Sequence, residues 1–245
     1  MADTPSLPLY ESSALHAVTG PTMRPGGMAL TQRALSFCGL PADARVADLG
    51  CGIGATAGHL RRQHRLRAVG LDRSAGMLGR ARQRDPGLPL VRGDAACLPF
   101  KDGRLSAVLC ECILTLVGDI DAAWCEIRRV LAPGGFLVLA DIYARGPRAS
   151  AGLTRLPGAS CIRGARSRDE TLGRMHRFGF TLLAWEDHSE ALKRLAAELV
   201  LAGGSLQTLW GAAGDSGEGT DGAAAVRQAR LGYFLSVARK EVIPR

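Results

Sequence analysis

Apolar and polar positions follow two alternating rhythms along the chain. Short apolar runs at Val46–Leu49, Arg67–Leu71, Leu90–Arg92, Ala107–Leu109, Phe136–Ala140, Thr181–Glu186 and Gly232–Arg239 predict strands. Between them, apolar positions spaced three and four apart predict helices over Thr31–Phe37, Ala55–Gln63, Ser74–Arg84, Asp119–Leu131, Arg168–Phe178 and His188–Ala202. In the last of these the apolar residues at 192, 195, 196, 199 and 200 form one stripe. Strand and helix alternate throughout, which implies an α/β fold with a doubly wound, mostly parallel sheet. Such sheets bind ligands beyond the carboxyl ends of their strands, where the strand order reverses.

The 245 residues are 47% apolar, enough for one sizeable core, and no internal repeat interrupts them. Residues 1–40 form an N-terminal segment and helix able to act as a lid; residues 41–245 form the main domain. Within it, 211–225 (GAAGDSGEGTDGAAA) reads as a flexible loop. A charged fraction of 22% excludes a disordered chain, and 5% aromatics disfavours a base-stacking surface. The net charge of +8 comes almost wholly from arginine, with lysine only at 101, 193 and 240. That bias fits GC-rich coding and is no nucleic-acid signature, although it would attract an anionic ligand. No signal peptide and no membrane-length apolar run is present, and seven cysteines follow no disulfide spacing. A cytoplasmic location is the expectation.

The first strand runs into VADLGCGIG, a turn with glycines at 50, 52 and 54. Glycine is needed where backbone turns sharply and a ligand approaches it closely. The dinucleotide fingerprint spaces its third glycine one residue later. Asp48 would also repel a pyrophosphate and suits a ligand with an ammonium or sulfonium group. Asp72 ends the second strand, where it can accept hydrogen bonds from both ribose hydroxyls. Asp94 ends the third, where it can meet an exocyclic amine.

With GDAACLPF and the LAPGG turn before a strand, these segments resemble the class I S-adenosylmethionine-dependent methyltransferases. The likeness is to the small-molecule branch, similar to quinone-biosynthesis and arsenite methyltransferases. The resemblance implies a Rossmann-like sheet of seven strands, the last inserted antiparallel. It implies S-adenosylmethionine as cofactor and in-line methyl transfer to a small-molecule acceptor. By the same resemblance Asp48, Gly50, Cys51, Gly52 and Gly54 line the methionine end, Asp72 holds the ribose, Met77 lies near the adenine, Asp94 and Ala95 contact its edge, and Cys110 lies under the sulfonium.

On the acceptor side, candidate catalytic residues are Glu111, Asp141, Tyr143 and His188. Cys110 and Cys112 share a face if the strand stays extended, and with Cys161 they would suit trivalent arsenic. An arsenite methyltransferase is therefore one alternative, and a non-catalytic cofactor-binding partner protein is another. Arg24, Arg163 and Arg166 could each clamp a carboxylate or phosphate. No zinc motif, nucleophile elbow or phosphate loop occurs, so no metal is expected. An Asn-Pro-Pro-Tyr type tetrapeptide is missing after the fourth strand, which disfavours a nucleic-acid base as acceptor; no membrane partner is expected either.

Overall fold

Parallel strands flanked by helices must be apolar on both faces, and here they are. In β1 (Arg45–Leu49), Val46 packs into one core and Ala47 and Leu49 into another. In β4 (Leu105–Glu111), Ala107 and Leu109 face the first core, while Val108 and Cys110 face the second. A computed structural model describes residues 20–22, 24–146, 152–156, 160–201 and 219–242. The remaining strands are β2 (Arg67–Asp72), β3 (Leu90–Arg92), β5 (Leu131–Ala144), the two-residue β6 (Arg166–Ser167), β7 (Phe180–Asp187) and β8 (Leu231–Lys240). The order across the sheet is β3-β2-β1-β4-β5-β8-β7, with β6 continuing the edge of β5 beyond the end of β4.

β8 runs antiparallel to both β5 and β7. The other six main strands are therefore parallel to one another, as the resemblance implied. Strand order reverses between β1 and β4, which opens a crevice at their carboxyl ends.

The helices are α1 (Gly27–Cys38), α2 (Ala55–His64), α3 (Ala75–Arg84), α4 (Ile120–Val130), the single turn α5 (Cys161–Gly164), α6 (Arg168–Arg177), α7 (Ser189–Leu201) and α8 (Gly219–Ala229). Leu30 and Ala34 of α1, Leu60 of α2, Leu192 of α7 and Ala229 of α8 share the first core. Trp124 and Ile127 of α4 and Met175 of α6 share the second. Caps set the starts: Ser74 accepts from the Met77 amide, Asp119 from Ala122, and Ser167 with Glu170 forms a capping box. α3 and α4 accordingly begin one residue after the sequence pattern suggests.

Two expectations need correction. β4 and β5 are longer than their apolar runs: Leu105 and Glu111 of β4 pair with Leu131 and Ala140 of β5, and Asp141–Ala144 pair residue by residue with Leu231–Phe234 of β8. That pairing is remote in sequence. The stretch 211–225 is not loop throughout: 202–218 lie outside the described residues, but 219–225 begin α8. Its alanines are the strongest helix formers, and they outweigh the glycine and acidic signal there.

Trp124 stacks on Phe178 at 5.9 Å and meets Phe180 edge-on at 5.7 Å, joining α4 to the turn before β7. Trp124→Ala is expected to cost roughly 3–5 kcal/mol of unfolding free energy, measurable by urea titration; a loss below about 1 kcal/mol would show that this core repacks.

Candidate functional site

The crevice between β1 and β4 is a cleft lined by the glycine turn, the ends of β2 and β3, and the segment after β4. Gly50, Gly52 and Gly54 have φ values of 67°, 53° and 73°. Gly50 is further constrained, since a Cβ there would lie 2.4 Å from Ile113 Cδ1. The turn delivers the chain into α2 with glycine at its N-cap and no side-chain cap. Asp48 supplies the missing acceptor from β1: its Oδ2 takes the Ala57 amide at 3.1 Å. Its other oxygen has no partner among the described residues. Only 2% exposed, Asp48 has its carboxyl pushed up to about 8, by burial first and then by Glu111.

Alternation along β4 turns Glu111 toward α1 and α2, where it meets Arg24 at 3.0 Å; both side chains are 4% exposed. Thr31 of α1 donates to Glu111 Oε1 at 2.8 Å, and Thr56 of α2 to Oε2 at 3.0 Å. Arg24 also donates to Thr56 Oγ1, to Thr31 Oγ1 and to the Gly27 carbonyl. Its Nε is buried without a partner among the described residues, and the residue lines the cleft. Glu111, expected as a catalytic residue, lines the cleft and belongs to this network, with both oxygens accepting hydrogen bonds.

At the far side, Asp72 Oδ2 accepts the Gly52 amide at 2.8 Å and Oδ1 the Ser74 amide at 2.9 Å. Each oxygen retains a lone pair, as two adjacent hydroxyls require. Met77, Asp94 and Ala95 complete the wall. The loop that bears Asp94 is pinned by α4: Glu126 accepts the Leu98 amide at 2.7 Å, and Arg129 reaches the Leu98 and Phe100 carbonyls at 2.9 and 2.8 Å. Of the residues assigned from sequence to the cofactor, Asp48, Gly50, Cys51, Gly52, Asp72, Met77, Asp94 and Ala95 line this cleft. Gly54 stands behind it as the α2 cap.

Cys110 does not line it. It faces the opposite core and lines a second, smaller cavity together with Asp141. Cys112 does not share its face, because β4 ends at Glu111 and Cys112 adopts φ 58°. That left-handed residue turns the Cys112 thiol back to the first core, 3.2 Å from the Tyr233 hydroxyl. Burial raises the Cys110 and Cys112 thiols and lifts Cys161 to about 12, so all three keep their protons. Among the described residues, no three His, Cys, Asp or Glu side chains converge as a metal site.

Tyr143 and His188, expected on the acceptor side, line neither cavity. Tyr143 donates to Asp187 Oδ2 at 2.9 Å, and Trp185 and Phe234 pack edge-on against its ring. His188 lies 3.1 Å from Glu186, which in turn pairs with Arg33 of α1. Both residues thus join elements of the scaffold. Asp141 does face the second cavity. Its Oδ1 accepts from Thr115 Oγ1 at 2.9 Å and from the Ile142 amide at 2.8 Å, and burial lifts it to about 6. Arg166 lines the same cavity, while Arg163 is exposed and donates to the Thr154 carbonyl.

Sequence reasoning missed Thr31, Thr56 and Thr115. Each had a signal: a hydroxyl inside an otherwise apolar helix stripe, just after the glycine turn, and inside the run ILTLV.

The fold, the acids near the strand ends and the glycine turn between them define an α/β protein with a ligand-sized cleft at the switch point of its sheet. Residues 47–139 match the methyltransferase domain family. A demethylmenaquinone methyltransferase from Beutenbergia cavernae is 39% identical over 97 residues, 40% of this chain and 40% of that protein. Among solved structures, the cyclase SpnF superposes with a TM-score of 0.73 at 24% identity, over 94% of this chain and 93% of that one. Phosphoethanolamine N-methyltransferase 2 of Haemonchus contortus, solved with S-adenosyl-L-methionine, gives 0.70 at 18% identity, over 94% and 56%. These superpositions share the fold. Residues 47–139 thus carry a methyltransferase domain. The chain spans about 40% of the length of the demethylmenaquinone methyltransferases it matches.

The buried Asp48 gives a pH signature. The folded carboxyl keeps its proton up to about pH 8, whereas an unfolded one releases it near 3.8. The folded form therefore binds the extra proton between these values, and its stability falls as pH rises through that window. In Asp48→Asn, which keeps an acceptor for the Ala57 amide, this component vanishes. Thermal melts of the ligand-free proteins should show the variant gaining on wild type from about pH 4 to 8 and then running parallel; parallel curves throughout would contradict the assignment.

Proposed function

We propose that the protein transfers a methyl group from S-adenosylmethionine to a small-molecule acceptor, in the cytoplasm. The observation that carries this reading is the convergence of Asp48, Asp72 and Asp94 with buried Arg24 in one cleft. The donor set fits the cofactor at each end. Asp48 and the glycine turn suit its amino group and sulfonium. The unpartnered Arg24 Nε suits its carboxylate, the open lone pairs of Asp72 its ribose, and Met77, Asp94 and Ala95 its adenine. When bound, the cofactor supplies an electrophilic methyl carbon on a sulfonium. The protein's part is to hold and orient it and to exclude water.

The arsenite alternative loses its support, because the thiols diverge and stay protonated. A non-catalytic cofactor-binding role predicts the same cleft, and turnover separates the two. Seven unpaired cysteines fit a reducing compartment, and no described helix is long and apolar enough to cross a membrane.

Asp72→Ala removes two hydrogen bonds worth about 1–1.5 kcal/mol each, so S-adenosylhomocysteine should bind roughly 30–150-fold more weakly by calorimetry. Unchanged affinity would refute the site. Methyl transfer itself is tested by mass-spectrometric detection of S-adenosylhomocysteine formed with a panel of amines, phenols and thiols. Cofactor binding without turnover on any of them would favour the non-catalytic role.

A further inference from the structure

The second cavity opens beside the cofactor cleft, and the two share Val117 and Gly118 as a wall. Its apolar lining comes from Leu114, Trp124, Leu139 and Phe234. Its volume of about 110 Å³ is below the roughly 150 Å³ that accommodates benzene, so only a compact body fits inside.

The polar groups are distributed unevenly. Asp141 is 4% exposed, lines the cavity, and accepts the Thr115 amide at its Oδ2 over a long 3.3 Å. Arg166 and Arg174 are half-buried. Arg174 is paired with Asp121 at 3.0 Å. Arg166 faces no carboxylate within ion-pair distance among the described residues. Its Nη1 is tied to the carbonyls of Arg163, Gly164 and Ala165 at 3.4, 3.1 and 3.2 Å. Those three carbonyls hold one arm of the fork in place, and its Nε and Nη2 have no partner among the described residues. A half-buried, pre-oriented guanidinium without a counter-charge is a carboxylate or phosphate receptor. Asp141 repels a second anion and so fixes the orientation.

We infer that this cavity takes the methyl acceptor, and that the acceptor is a compact molecule with one oxyanionic group, a carboxylate or phosphate monoester, gripped by Arg166. Its uncharged hydrogen-bond donor points to Asp141. The acceptor role rests on the methyl-transfer reading; the anion site stands on the cavity alone.

The test is calorimetric titration of the full chain with acetate, methyl phosphate and, as an uncharged match, ethanol. One of the two anions is expected to bind at least tenfold tighter than ethanol, and which one does so assigns the class. Arg166→Gln, which keeps an N–H₂ for the loop carbonyls, should weaken that anion at least tenfold and leave S-adenosylhomocysteine affinity within twofold. Arg166→Lys, which keeps the charge, should retain binding within about fivefold and guards against a purely structural effect. Saturating S-adenosylhomocysteine should not displace the anion. Equal binding of wild type and Arg166→Gln, no preference for either anion, or displacement by S-adenosylhomocysteine would overturn the proposal. Absence of S-adenosylhomocysteine binding to wild type would instead sink the methyltransferase reading and leave the anion result to stand by itself.

Discussion

The buried ion pair between Arg24 and Glu111 is the constraint on which the cleft depends. Taking two charges out of water costs several kcal/mol per ion, and the pair survives only where further hydrogen bonds satisfy both partners. Here those bonds come from three directions: Thr31 on α1, Thr56 on α2 and the Gly27 carbonyl at the start of α1. The result ties the first helix to the end of β4 and to the helix that follows the glycine turn. Breaking any one contact exposes the cost of the rest, so the base of the cleft is held as a unit.

The same low-dielectric surroundings explain the acids. Asp48, near the end of β1, and Asp141, within β5, lie on opposite sides of the sheet, and both are raised by burial. They differ in what offsets it. Asp141 takes two bonds from Thr115 and one from the Ile142 amide; Asp48 takes one from Ala57 and feels Glu111 nearby. Asp48 is thereby raised further, to about 8, than Asp141, to about 6, although both are the same residue type.

What was legible in the sequence was local. The glycine turn, the acids that end β1, β2 and β3, and the apolar runs that make the sheet all lie within short windows, and their positions follow from strand and helix periodicity. What was not legible depended on residues far away. Cys112 breaks strand alternation through one left-handed φ, which reversed the expected direction of its thiol. Tyr143 is drawn off the site by Asp187, a partner that becomes a neighbour only when β7 docks, and His188 meets Glu186, whose position is fixed by the distant Arg33. Glu111 reads as a lone acid after β4 until Arg24, 87 residues earlier, is seen to pair with it. Sheet order reads well from such a chain, because many weak signals agree. Individual side-chain roles read less well, because one remote contact decides each.

The inserted position of β8 has a consequence for how the molecule is made. β8 is the last strand along the chain, yet it lies inside the sheet, with nine paired positions on β5 and seven on β7. Until it is in place, β7 has no strand beside it and the open edge of β5 is exposed. During synthesis the half carrying the cofactor cleft can assemble early from near-sequential strands, whereas the other half must wait for a long-range closure. The interval between the two is when the chain offers an unpaired apolar edge to its neighbours, and it is then that a chaperone would find something to hold.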